Sequence, residues 1–242
     1  MPGKYLCLIT SLLCLMVGAA QKPQDKLKVI TVNTLMPIVE RDGSILQIKS
    51  SYSVAHYNDI MCFQYFINFD SIVNGQLMVQ EKRPAFFIFH KDSLFGCNYY
   101  PYFRPENRSR KDSMLKTIRL GMERFDGLLE LRPDSQYLNL DSTITEVYIE
   151  DRETNPIYNF RVYLTFNSRF NDVQESLSFR FDSDRKIKLT TIRIKFDKAY
   201  SDEFKITFPE REIVSELVKG TTTQNYEMIK QYMRKYEAYL KQ

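Results

Sequence analysis

The chain has two histidines, His56 and His90, and they are the first places to look for chemistry. An imidazole titrates near neutrality, so it can relay a proton or hold a metal. His90 precedes Asp92 by two residues, so His90 and Asp92, joined by His56, have the donor types of a metal site. The two histidines fall on different predicted strands, however, and two ordinary strand-end histidines are the expected reading. Cys97 would act as a nucleophile only beside one of these imidazoles. Carboxylate pairs at Glu150 and Asp151, and at Asp182 and Asp184, have the composition of general acid–base sites. Both lie at predicted strand ends or turns, where acidic side chains usually bond the backbone. The Asp182-Ser183-Asp184 turn lacks the glycine and the distal glutamate of a dedicated calcium loop. Zinc-protease, serine-elbow and P-loop motifs are absent, and eight glycines serve phosphate-cradling loops poorly. No catalytic residue, metal or cofactor is assigned.

A basic loop, Arg104 to Lys111, has the charge to meet anionic glycan or lipid headgroups, although a solvated linker is the expected role. Inside it, Asn107-Arg108-Ser109 is a glycosylation sequon, meaningful only in a eukaryotic host. The formal charge of +4 is too weak to imply nucleic acid.

The first twenty residues fix the expected compartment. A weakly basic head is followed by an apolar run, Tyr5 to Val17, and by the small residues Gly18-Ala19-Ala20. That order reads as a secretory signal peptide cleaved after Ala20, so the mature protein is expected to be secreted or periplasmic. The run is short for a membrane span, which needs about 20 apolar residues. No later stretch is apolar enough to span, so no transmembrane segment is expected after cleavage. Residues 21–26 read as a disordered tail. Removing the leader leaves Cys62 and Cys97, an even count in an oxidising compartment, and a disulfide between them is expected. Cys62 shares a strand face with Gln64 and Asn68, opposite the apolar Met61, Phe63 and Tyr65.

The elements that must position these residues are mostly strands. Leu27 to Asn33, Leu46 to Tyr57 and Ile60 to Phe69 are β-rich, with turn signals at Asp42-Gly43 and Asn74-Gly75. Ala85 to Phe89 is apolar on both faces and reads as a buried central strand. Met114, Leu115, Ile118, Met122 and Phe125 recur at helical spacing, with Asp112 or Ser113 as N-cap and Asp126-Gly127 as the stop. Beyond, Tyr158 to Phe166, Leu177 to Phe181, Ile192 to Phe196 and Phe204 to Phe208 alternate with polar residues, as half-buried antiparallel strands do. Phe166, Phe181 and Phe196 recur every 15 residues, as in a hairpin meander, with Asn167, Asp182 and Asp197 starting turns. The apolar phase slips at Thr190-Thr191, which predicts a β-bulge. Ile213, Val214, Leu217 and Val218 fit an amphipathic helix stopped by Gly220. Tyr226, Ile229, Tyr232, Met233, Tyr236 and Leu240 form the stripe of a second helix, capped within Thr221 to Thr223, that should cover the sheet.

The expected fold is mainly β, with antiparallel sheets in a sandwich or open-barrel-like arrangement, a short central helix and two C-terminal amphipathic helices. Its regions are an N-terminal β region (27–103), a mixed helical and loop connection (104–142), and a β meander with two helices (143–242) that can pack on the first. No family resemblance is specific enough to name; a lipocalin-type barrel fails for want of its Gly-x-Trp signature, since the chain has no Trp. The leading functional expectation is an exported, soluble, non-enzymatic binding or envelope-associated protein. Its partner would be a protein, a glycan or a small apolar ligand, and not a nucleic acid. The alternatives are a carrier of an apolar small ligand and a hydrolase with a site assembled from scattered residues.

Overall fold

Alternating apolar residues drive long strands in this chain, and in the computed structural model they assemble into one antiparallel sheet of 11 strands. The structure describes residues 27–73, 76–100, 108–119, 132–150 and 159–241. The leader, the tail, Asn74-Gly75, Asn107 and Asp126-Gly127 lie outside them. In spatial order the sheet runs β6-β5-β4-β3-β2-β1-β13-β10-β9-β8-β7. The first half is built from β1 (Lys28–Val39), β2 (Ile45–Tyr57), β3 (Ile60–Val73), β4 (Gln76–His90), β5 (Phe95–Tyr99) and β6 (Arg108–Arg110). The second half contains β7 (Ser135–Leu138), β8 (Ile144–Glu150), β9 (Phe160–Phe166) and β10 (Leu189–Phe196). A separate two-stranded ribbon pairs β11 (Ala199–Ser201) with β12 (Ile206–Phe208). β13 (Arg211–Lys219) then returns to lie between β1 and β10.

β13 corrects the sequence expectation, because Ile213 to Val218 is a strand and only one C-terminal helix exists. The apolar spacing satisfies both periods, and the tie is broken by β-branched Ile213, Val214 and Val218 and by two waiting strand edges. Ser215 and Leu217 face one layer, while Glu216 and Val218 face the other way, so the strand alternates as a sheet requires. Gly220 does not stop a helix. At φ +95° it turns the chain out of β13, and its N–H bonds the Val29 carbonyl at 2.7 Å.

The second correction concerns residues 177–185. Phe179–Arg185 is helix α2, not a meander strand, because Ser178 caps it by accepting from the Phe181 N–H. Phe181 is buried and Phe179 half exposed, so the 15-residue recurrence of phenylalanine is not a strand repeat. Asn167 does start its turn, accepting from the Arg169 N–H at 3.0 Å, whereas Asp182 receives the N–H of Leu189 at 2.7 Å. The bulge falls where the phase slip predicts it, between Leu189 and Thr191. The Asp42-Gly43 turn also forms, with Gly43 at φ +83°. The central helix α1 (Lys111–Ile118) is capped at Arg110 without a side-chain bond, and Asp112 sits in its first turn.

Each face of the sheet has its own cover. On one, Ile30, Val54, Phe63, Phe87, Leu164 and Ile192 pack against Ile118 of α1 and Val173, Leu177 and Phe181 of the β9–β10 connection. On the other, Val29, Ala55, Cys62, Phe86, Ile88 and Cys97 pack beneath Ile229, Met233 and Tyr236 of α3 (Thr223–Leu240). Thr222 caps α3, and Tyr232 stacks on Phe86 with ring centroids 4.1 Å apart. The face of Cys62 is therefore a second core.

One junction in this packing has no slack. A Cβ on Gly96 would stand 2.5 Å from the Phe87 ring and 2.8 Å from the Ile88 carbonyl oxygen. Gly96→Ala is expected to lower stability by about 1–3 kcal/mol through overpacking, read as a lower urea midpoint.

Candidate binding groove at the sheet fork

Sheet pairing is uneven, and the unevenness opens the sheet beside a groove. β1 and β2 pair along their full length, from Lys28–His56 to Val39–Ile45. β3 and β4 pair from Ile60–His90 to Val73–Gln76. The ladder between β2 and β3 runs only from Tyr57–Ile60 to Ser53–Gln64. Past Ser53 the two hairpins part as the arms of a fork. Beside this opening a groove of about 520 Å³ lies along β2, β1 and β13, lined by Lys49 and Ser51 of β2, Leu35 of β1, and Val214 and Glu216 of β13, with Lys82 of β4 reaching it from across the fork. That volume is within the roughly 300–1,000 Å³ of ligand sites.

Strand parity places the groove on the face that α3 covers elsewhere. Lys49 and Ser51 share a side of β2 with Ala55, and Lys82 shares a side of β4 with Phe86 and Ile88, all under α3 or in line with it. At the crotch, Ser53 Oγ lies 3.1 Å from Thr31 Oγ1 and 3.5 Å from Thr221 Oγ1. Gln64 donates to Asn225 of α3 at 3.2 Å, and its Oε1 is buried with no hydrogen-bond partner among the described residues. Asn33 donates to Glu216 at 3.4 Å, which engages the groove's carboxylate. The opposite face of the same arm is apolar, with Met36 paired to Ile48 and Ile38 paired to Leu46, each 40–51% exposed.

The buried acids elsewhere are structural. Glu175 takes a bidentate grip from Arg119 at 2.9 and 2.8 Å and a hydroxyl from Tyr52 at 3.2 Å. Glu146 is held the same way, by Arg185 at 2.8 Å and Tyr148 at 2.8 Å. Burial, then the adjacent glutamate, raises both phenols, Tyr148 to about 12. Asp182 pairs with Lys188 at 2.6 Å, and Asp184 pairs with Arg185. Neither is arranged as a calcium turn. Each of these contacts pins the β9–β10 connection to the sheet or to α1, or holds its own α2 turn together.

The candidate chemical residues fall as follows. His56 and His90 reach the same end of the sheet but do not meet: β3 lies between them, and because His56 opposes Met61 while His90 opposes Ile60 they project from opposite faces. Asp59 lies in the turn between, bonded to Lys91 at 2.8 Å, which holds its carboxyl below the usual range. His90 Nδ1 accepts the Asp92 N–H at 3.4 Å. Among the described residues no group of three His, Cys, Asp or Glu is placed to hold a metal ion. Glu150 ends β8, and Asp151 lies outside the described residues. Of the basic loop, Arg108 to Arg110 forms edge strand β6, and Lys111 bonds the Lys91 carbonyl at 2.9 Å.

The expected disulfide is absent: Cys62 and Cys97 are free and buried. Cys62 and Cys97 both sit opposite Ile88, on its two sides, so a whole strand separates them. Two strand spacings are about 9–10 Å, beyond the roughly 7 Å that a disulfide spans between Cα atoms. Burial pushes both thiols above their ordinary value, which makes Cys97 a poor nucleophile.

Among the described residues no helix is long and apolar enough to cross a membrane. No family model, curated protein or solved structure matches the chain.

Two measurements test this account of the charged groups. Glu175→Gln removes the charge that balances Arg119 and is expected to cost about 3–5 kcal/mol in urea unfolding. Burial depresses the His56 pKa, so folding favours its neutral form. Stability from this group is complete above the unfolded value of about 6.5 and declines as pH falls through the lower folded value. The urea midpoint should drop between pH 7.5 and 5, and His56→Gln should flatten that drop.

Proposed function

We propose that this chain is an exported, soluble, non-enzymatic binding protein whose ligand enters the fork groove. The observation that carries the reading is the groove itself: about 520 Å³, open to solvent, with the apolar Leu35 and Val214 in its lining beside the ammonium groups of Lys49 and Lys82, serine hydroxyls and the Asn33–Glu216 pair. Lys49 and Lys82 bring two ammonium groups to the groove, the charge that complements an anionic ligand. The buried glutamates that would suit acid–base catalysis are instead clamped by arginine and tyrosine. An apolar carrier is less well supported. The space between the sheet and residues 172–175, beside His56, is about 30 Å³, room for a water and not for a lipid. Between sheet and α3, Tyr232 stacks on Phe86, and an open space of about 260 Å³ remains at the start of the helix, beside Leu27, Val29 and Tyr226.

Export rests on the leader, and the binding reading predicts an empty interior. Protein recovered from the secreting host is expected to begin at Gln21 and to give the bare polypeptide mass by native mass spectrometry. A start at Met1 ends the export reading, and a reproducible co-purified lipid-sized mass replaces the groove reading with the carrier.

A further inference from the structure

The fork has a backbone property that its volume does not convey. Along Ile45 to Tyr52, β2 pairs with β1 on one side, and among the described residues no strand pairs on the other. β3 from Tyr65 to Val73 is in the same state, paired with β4 alone. In a strand, the N–H and C=O groups of alternate residues point to opposite edges, so each arm presents a row of donors and acceptors to the gap. Such free edges are commonly blunted by proline, which removes a donor. Here the prolines stand on the outer strands of the arms. Pro37 lies on β1 beyond its last pair with β13, Leu35–Val214, and Pro84 lies on β4 beyond its last pair with β5, Phe86–Tyr99. The inner edges, 45–52 and 65–73, contain no proline. The outer edges are guarded and the inner ones are left open.

A row of alternating donors and acceptors with strand spacing is matched by another polypeptide backbone, which adds to an open edge as an extra strand. The two faces of the arm specify the side chains of that strand. On the groove face stand Lys49 and Lys82, and on the other face Ile48 and Leu46 are exposed. Side chains directly across a ladder interact, and opposite charges or paired apolar groups stabilise it. A strand laid along β2 turns alternate residues to each face.

We infer that the fork takes an extended peptide segment with alternating acidic and aliphatic residues as a guest strand in the gap between β2 and β3. This rests on the groove being the binding site, and goes beyond it by naming the ligand class. The contacts are backbone hydrogen bonds to residues 45–52, ion pairs to Lys49 and Lys82, and apolar packing on Leu46 and Ile48.

The test uses the mature chain and a fluorescent pool of decapeptides in which Glu or Asp alternates with Val, Ile or Thr. The control is the same pool N-methylated at alternate residues, so that side chains persist while one row of donors is lost. Anisotropy should report saturable binding below 1 mM, and the methylated pool should bind about tenfold or more weakly. The double variant Lys49→Glu, Lys82→Glu should also lose about tenfold or more, while Leu94→Ala, a surface substitution far from the fork, should not. Amide exchange should slow at Gln47 to Ser51 when peptide binds. If the methylated pool binds as well as the parent, or a sulfated oligosaccharide binds as tightly and displaces it, the groove is an anion site and the guest strand is wrong. If no pool binds saturably, or the lysine variant binds unchanged, the groove reading itself falls. The double variant's urea midpoint, compared with the parent's, separates lost binding from lost folding.

Discussion

The structure depends on one strand having two partners. β13 bonds β1 from Ile30–Lys219 to Leu35–Val214 and bonds β10 from Thr191–Glu216 to Phe196–Arg211. Without it the chain would hold two smaller sheets, each ending in a long apolar edge, and an exposed edge of that kind invites pairing with other chains. With it, β1 is paired from Ile30 to Leu35 and β10 from Thr191 to Phe196, and the two halves become one continuous sheet. Leu217 contributes to the larger core directly, so the joint is held by packing as well as by its ladder.

The larger core is covered by a segment that could not stay down on apolar contacts alone. Val173, Leu177 and Phe181 supply the burial, while Glu175 and Arg185 bring charges that need partners. Each finds a bidentate ion pair with a tyrosine hydroxyl completing the shell. Buried pairs of this kind contribute little net stability but penalise any other placement of the segment. Lys28 and Lys219 add a surface tie to Asp172 at 3.4 and 3.0 Å, joining the start of β1, the end of β13 and this cover.

Local signals were legible wherever local physics decided the outcome. Turn chemistry at Asp42-Gly43, the phase slip before Thr191, the capping threonine of α3 and the two-faced burial of Ala85 to Phe89 all follow from neighbouring residues. Where two periods fit equally well, tertiary context chose. Ile213 to Val218 became a strand because two edges required one, and Phe179 to Arg185 became a helix because Ser178 could cap it. The disulfide expectation failed for want of register: an even count of cysteines says nothing about Ile88 lying between them. The separation of His56 from His90 onto opposite faces needed the same information, the offset of two ladders. The groove was least legible of all, because it arises where pairing between β2 and β3 stops, and no residue at Ser53 or Gln64 announces that end.

The order of synthesis gives the splice strand a temporal meaning. β1 emerges first and its outer partner emerges nearly two hundred residues later, as the pairing of Ile30 with Lys219 records. Contacts so distant along the chain close late and slowly. Neither half-sheet can be sealed until the C-terminal stretch has arrived, so a partly made chain lacks its central joint. A polypeptide arranged in this way reaches its final form only once nearly all of it has been made.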